Sequence, residues 1–207
     1  MLCVVSCRKR FLWLLVFSGI AVTGCGTLLD DLGGLFARPV LPDELAYVVN
    51  HEQDFAQDVD DPLRQVSAGT VVDDLGQLSG CWGAFDQFDF AGRRVDNYEA
   101  YRFDPTSGEM TWFGYAPDVL GFLPGAANYS GMFSVADESH IVFTVLEVST
   151  INPATGDYET HDMPAGTQWT YSVTLDGNRL RMFWTDGPDD QPAERNNLVF
   201  RRFDCSE

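Results

Sequence analysis

Between Leu78 and the C-terminus the chain breaks into short segments rich in β-branched and aromatic residues, each closed by a turn signal. They are CWGAFDQFDF (81–90), NYEAYRFD (97–104), EMTWFGYA (109–116), GMFSVA (131–136), HIVFTVLEVST (140–150), YETHDM (158–163), QWTYSVTL (168–175), RLRMFWT (179–185) and NNLVFRRF (196–203). PTSG joins one pair, and Asp176-Gly177 is a strong short-range hairpin signal between another. Trp169, Tyr171, Val173 and Leu175 share one face of their segment, and Leu180, Met182 and Trp184 share one face of the next, opposite Arg179 and Arg181. Such faces must meet something buried. Eight or nine short strands with no helix among them predict an all-β, antiparallel sandwich or barrel. Residues 116–130, rich in Gly and Pro, read as a long connection, either a lid over a barrel mouth or a surface loop.

The stretch before Leu78 differs, carrying few aromatics and many Asp, Leu and Val. Leu45, Val48, Val49 and Phe55 recur at helical spacing after Pro42 and Asp43, which predicts a short amphipathic helix in a spacer. The 140–150 segment is apolar on both faces, at Val142, Phe143, Val145 and Leu146, so the N-terminal stretch is expected to cover its outer side.

Further upstream, Arg8, Lys9 and Arg10 precede twelve uncharged residues, Phe11 to Val22. A bilayer span needs about 20 apolar residues, whereas a basic start followed by roughly 7–15 apolar residues fits a secretory signal. The VTGC that follows resembles the lipobox of bacterial lipoproteins. That resemblance implies cleavage before Cys25 and acylation of Cys25, with two or more chains giving durable anchoring. Gly26, in place of an aspartate, points to the outer membrane. The organisation expected is residues 1–24 as signal peptide, 25–77 as a lipidated and partly helical tether, and 78–207 as the β domain.

Loss of Arg8, Lys9 and Arg10 with the leader leaves ten arginines against thirty-one acids, a formal charge near −21, and no lysine. Such a chain repels nucleic acid, whose affinity comes from Lys and Arg on phosphates. It suits a saline envelope or a basic protein partner. With Cys3 and Cys7 in the leader and Cys25 acylated, Cys81 and Cys205 remain, and an isolated pair in an oxidising envelope predicts a disulfide.

LSGCWGAFD (78–86) places Gly80 and Trp82 at the start of the β region, similar to the Gly-x-Trp signature on the first strand of lipocalins and lipocalin-like (calycin) domains. The closing YSVTLDGNRLRMFW and LVFRRF resemble the last hairpins of the same group. The resemblance implies an 8- to 9-stranded up-and-down barrel with its first and last strands side by side. It also implies that Trp82 packs across one end beneath an arginine of the final strand. If Trp82 points inward, Cys81 points outward, and a Cys81–Cys205 bridge puts Cys205, Phe203 and Arg201 outward as well. Leu198, Phe200 and Arg202 then face in, which selects Arg202 for Trp82.

Catalysis has little to stand on. His51 lies in the spacer, His140 precedes an apolar strand, and His161 lies in a polar one; none adjoins a nucleophile motif. Asp186, Asp189 and Asp190 match no calcium-loop spacing. No enzyme activity, metal or cofactor is expected. The rings of Trp112, Trp169, Tyr171 and Trp184 are the candidates for lining a hydrophobic ligand site. The alternative is a packed barrel that serves as a structural or interaction lipoprotein.

Overall fold

A computed structural model describes residues 39–58, 60–65, 75–90, 92–118, 124–137, 139–152, 154–185 and 197–205. Residues 1–24, expected as a signal peptide, Cys25 and the Asp186, Asp189 and Asp190 group lie outside the described residues. Nine antiparallel strands carry the alternation read from the sequence: β1 (Gly80–Phe90), β2 (Arg93–Asp104), β3 (Glu109–Ala116), β4 (Gly125–Asp137), β5 (His140–Ile151), β6 (Tyr158–Asp162), β7 (Gln168–Asp176), β8 (Arg179–Trp184) and β9 (Asn197–Phe203). Their order is β4-β3-β2-β1-β9-β8-β7-β5-β6, and β4 also pairs with β5, which closes the sheet. β6 and β7 lie end to end along one edge of β5, opposite residues 147–151 and 140–144 respectively. The ring therefore has eight strand positions, with one position split between β6 and β7. The architecture is a closed, calycin- or lipocalin-like barrel.

Inward side chains stack in layers. Trp82, Phe103, Met110, Phe133, Ile141, Val173, Leu180 and Phe200 are all buried and fill the end at which β1 begins. Trp82 is fully buried and donates from its indole nitrogen to the carbonyl of Leu78 at 2.8 Å. Leu78 belongs to a 3-10 turn, Leu75–Leu78, which runs under this end. The Arg202 guanidinium carbon lies 4.5 Å from the Trp82 ring centroid, and a second donor of the same group bonds the carbonyl of Gln77. Such a contact contributes about 0.5–2 kcal/mol. Cys81 and Cys205 form a disulfide with Cα atoms 5.4 Å apart, tying β1 to the residues just past β9.

That tie reinforces a short seam. β1 and β9 pair only through Cys81, Trp82 and Gly83 with Phe203, Arg202 and Arg201. Beyond these pairs the N-terminal segment fills the gap. Ala56 makes a parallel bridge to Phe85, and the amide of Gln57 donates to the Phe85 carbonyl at 3.1 Å. The Gln57 side chain then donates to the Val199 carbonyl and accepts from the Val199 amide, both at 2.8 Å. One carboxamide thus takes the place of a missing strand neighbour.

The expected helix is present, as α1 (Asp43–Asn50) followed by the single turn α2 (Glu52–Phe55). Pro42 sets the entry, and Asp43 and Glu44 place negative charge on the first turn, where the helix dipole favours it. Leu45, Val48 and Phe55 are buried against Tyr98, Ala100 and Phe113 on the outer wall. Tyr47 stacks on Phe203 at 4.8 Å. Gly83 makes room for this contact, since a Cβ there would stand 2.5 Å from a Val48 methyl and 2.9 Å from the Phe55 ring.

Two expectations are corrected here. Residues 43–57 pack as part of the barrel body and are not a spacer. They also cover β1, β2 and β3, not the outer face of β5, where Leu146 is left half exposed. Gly83 leaves room for the helix, which also packs on Ala100. A third correction concerns residues 116–130: β4 already begins at Gly125, so much of that connection is strand. Alternation there is masked by small residues, in GAANYSG.

Removing one partner and leaving buried backbone groups unsatisfied costs about 1–3 kcal/mol. The Gln57→Ala protein is expected to lose stability in that range, read from the urea midpoint at unchanged slope. A loss under a few tenths of a kcal/mol would show that the seam does not need this side chain.

Candidate functional site

At the end of the barrel away from Trp82, the interior changes character. Trp112 of β3, Tyr129 of β4, Trp169 of β7 and Trp184 of β8 all face inward and are half-buried against the core. Their registers place them in one arc: Trp112 sits opposite Tyr129, and Trp184 is paired with Tyr171 beside Trp169. Ring centroids are 5.3 Å apart for Trp112 and Tyr129, 4.9 Å for Tyr129 and Trp169, and 5.9 Å for Trp169 and Trp184. Edge-to-face and tilted geometries dominate, as the ring quadrupoles prefer. Phe143 lies beneath, 5.8 Å from Trp169. Burial raises the Tyr129 hydroxyl above its ordinary pKa.

Three of the four rings predicted from sequence therefore share this wall. Tyr171 does not join them at the surface: it is buried, edge-on to Tyr101 at 6.3 Å, and serves as floor. Tyr129 was hidden in the stretch read as a loop.

Polar groups also stand in the wall, Glu99 foremost. Glu99 faces inward, since β2 pairs it with Ala84 of β1 and Gly114 of β3, both on the core side. Its carboxylate accepts from the Trp112 indole nitrogen at 2.9 Å and from the Asn97 side-chain amide at 3.0 Å. Gly114 holds the geometry, because a Cβ there would stand 2.5 Å from the outer edge of the Trp112 indole. The ring can lie along the wall, nitrogen toward Glu99, only over a glycine. Sequence reading missed Glu99 although a signal existed: in NYEAYRF, Glu99 shares parity with Tyr101 and Phe103.

The histidines are placed as follows. His51 ends α1 and its Nδ1 contacts the Tyr47 carbonyl at 2.9 Å. His161 is exposed on β6. His140 meets Asp137 and Ser139 in the β4–β5 turn, an assembly of the residue types used in nucleophilic catalysis. Here Asp137 Oδ1 and Ser139 Oγ both contact the same nitrogen, Nδ1, at 2.8 and 3.0 Å. A working triad needs serine on one ring nitrogen and carboxylate on the other. The group is a turn clasp on an exposed loop. Among the described residues, no three His, Cys, Asp or Glu side chains converge as a metal site.

Fold and site together define the class as a calycin-like barrel with an aromatic inner wall. Comparison with known proteins finds neither a matching family model nor a matching curated relative.

The amide of Ser139, the His140 ring and the Ser139 hydroxyl hold Asp137 down at about 2, below its ordinary 3.8. A depressed carboxylate contributes stability above its unfolded pKa and loses it as pH falls through the folded one. The Asp137→Asn protein is therefore expected to be less stable than the parent at pH 5–7. That deficit should shrink between about pH 4 and pH 2, read from paired thermal melts across pH. A deficit constant over this window would mean that the charge of Asp137 does not stabilise the turn.

Proposed function

We propose that this protein is an envelope lipoprotein, held to a membrane by acyl chains on Cys25, whose barrel binds a small hydrophobic molecule against the far-end aromatic wall. The binding reading is carried by one observation: four inward aromatic rings in mutual contact are left half-buried at one end of a barrel whose other end is packed. Rings that served only as filler would be expected to bury as fully as Trp82 and Phe103 do. A pocket of mostly apolar surface with a few fixed polar groups is the usual form of a small-molecule site, and Glu99 and Asn97 are such groups. The role is binding, not catalysis. The anchoring reading rests on the basic start, the short apolar run and VTGC, and Gly26 supports an outer-membrane destination.

A second reading has its own support in the fully packed lower half and the formal charge of −18: a solid barrel that meets a basic protein partner. Binding of a neutral dye separates the two. N-phenyl-1-naphthylamine is expected to bind saturably and to quench tryptophan emission, with about tenfold weaker binding by the Trp169→Ala protein, equivalent to about 1.4 kcal/mol. Circular dichroism would check that the variant keeps its fold. Weak, non-saturable binding by the parent protein would favour the solid barrel.

Anchoring is tested separately by mass spectrometry of the protein extracted from its own membranes. The expected N-terminal fragment begins at Cys25 and carries diacylglycerol. A fragment retaining residues 1–24, or a bare Cys25 thiol, would refute it.

A further inference from the structure

Glu99 is what separates this wall from a plain greasy surface, and its charge narrows the class of ligand. The inference rests on the reading of the wall as a binding surface. The carboxylate has two partners, the Trp112 indole and the Asn97 amide, and both are neutral. Among the described ion pairs the cations are Arg102, His140 and Arg179, whose partners are Glu44, Asp137, Asp61 and Asp176. None reaches Glu99. The inward-facing arginine of β9, Arg202, is engaged at the opposite end by Trp82 and the Gln77 carbonyl. The half-buried Glu99 carboxylate thus stands beside a wall of aromatic faces with no cation among its described partners.

A neutral apolar molecule seated there would strip water from a carboxylate and return nothing for it. An anion would be repelled both by Glu99 and by the ring faces, whose quadrupoles are negative above the plane. A cation gains from both, because aromatic faces attract positive charge most strongly when it is desolvated, and tryptophan is the best of them. The chain's formal charge of −18 acts in the same direction at longer range by concentrating cations. Glu99 is also held in place: Gly114 lets the indole lie flat, and the indole nitrogen pins one carboxylate oxygen while Asn97 pins the other.

We infer that the molecule taken by this wall is an organic cation, an ammonium or similar charge on an apolar body, with its charged head against Glu99 and its body against Trp112, Tyr129, Trp169 and Trp184.

The test uses three probes of nearly one shape on the full chain in non-ionic detergent, by calorimetry against detergent blanks: benzyltrimethylammonium, its neutral isostere 2,2-dimethylpropylbenzene, and the anion phenylacetate. The expected order is cation tightest, by about tenfold over the neutral isostere, with the anion undetectable. Glu99→Gln keeps an acceptor for the indole nitrogen, so the wall should keep its shape. It is expected to cut the cation's advantage several-fold, with the neutral probe bound at least as tightly as before. Equal affinity for cation and isostere would overturn the inference. So would an undiminished cation preference in the Glu99→Gln protein, since the charge of Glu99 would then not select the ligand. If the cation fails while the neutral naphthylamine dye binds and responds to Trp169→Ala, only the cation inference falls. If the dye fails as well, the reading of the wall as a site falls with it.

Discussion

The fold depends on closing a ring whose first and last strands share only three residue pairs. A curved sheet left open at that seam would expose two edges and the whole interior. Three unlike interactions hold it. The Cys81–Cys205 bridge removes conformational freedom from the unfolded chain across a separation of 124 residues, an effect of up to about 5 kcal/mol in the chain-entropy model. Trp82 fills the end of the barrel directly inside the seam, under Arg202, its register partner on β9. Gln57 takes over where the strands diverge. Covalent bond, plug and carboxamide lie in sequence along a single join, so loss of one loads the next.

The N-terminal segment gains its structural meaning from the same join. To set Gln57 between β1 and β9, the chain must run along the outside of β1, and α1 and α2 occupy that path. Fully burying Leu45, Val48 and Phe55 contributes about 1.5–3 kcal/mol each, which offsets the cost of ordering the segment. Tyr98 donates its hydroxyl to Glu52 at 2.8 Å, and burial together with that bond raises the Tyr98 pKa, as expected for a phenol sealed beneath a helix. A segment that looked from its composition like a spacer is therefore part of the barrel's closure.

Most of the strands were legible because each has a face that must be buried, and alternation records this residue by residue. The pairing of Cys81 with Cys205 followed from their being the two cysteines left once the leader and Cys25 are set aside, and the choice of Arg202 over Arg201 from parity, given that bridge and the Trp–Arg contact that the lipocalin resemblance implies. What escaped notice shares one cause: its meaning lies in contacts between distant elements. Gly83 is a socket only when Val48 and Phe55 are overhead. Gln57 reads as a surface residue until Val199, 142 positions later, presents its backbone. Tyr129 and the start of β4 were lost because Ala126, Ala127 and Gly131 give no hydrophobic rhythm. Glu99 had the right parity, but a charged residue on an inward face is normally read as a break in the pattern. Its acceptance there depends on Trp112 and Asn97, which only the register brings within reach.

The two ends of the barrel differ in how completely their interiors are packed. Around Trp82 the interior is close-packed, and the seam interactions concentrate there. With this end fully packed, the far end can be less completely buried without opening the core. That freedom explains how four large rings can stay half-buried and how a carboxylate can face inward with only neutral donors. Each of these features is destabilising in isolation. Each becomes tolerable when the scaffold beneath is rigid, and a rigid scaffold is also what fixes the rings and Glu99 relative to one another. Trp112 shows the coupling in a single side chain: its ring is a face of the wall, its nitrogen orients Glu99, and the glycine beneath it sets both.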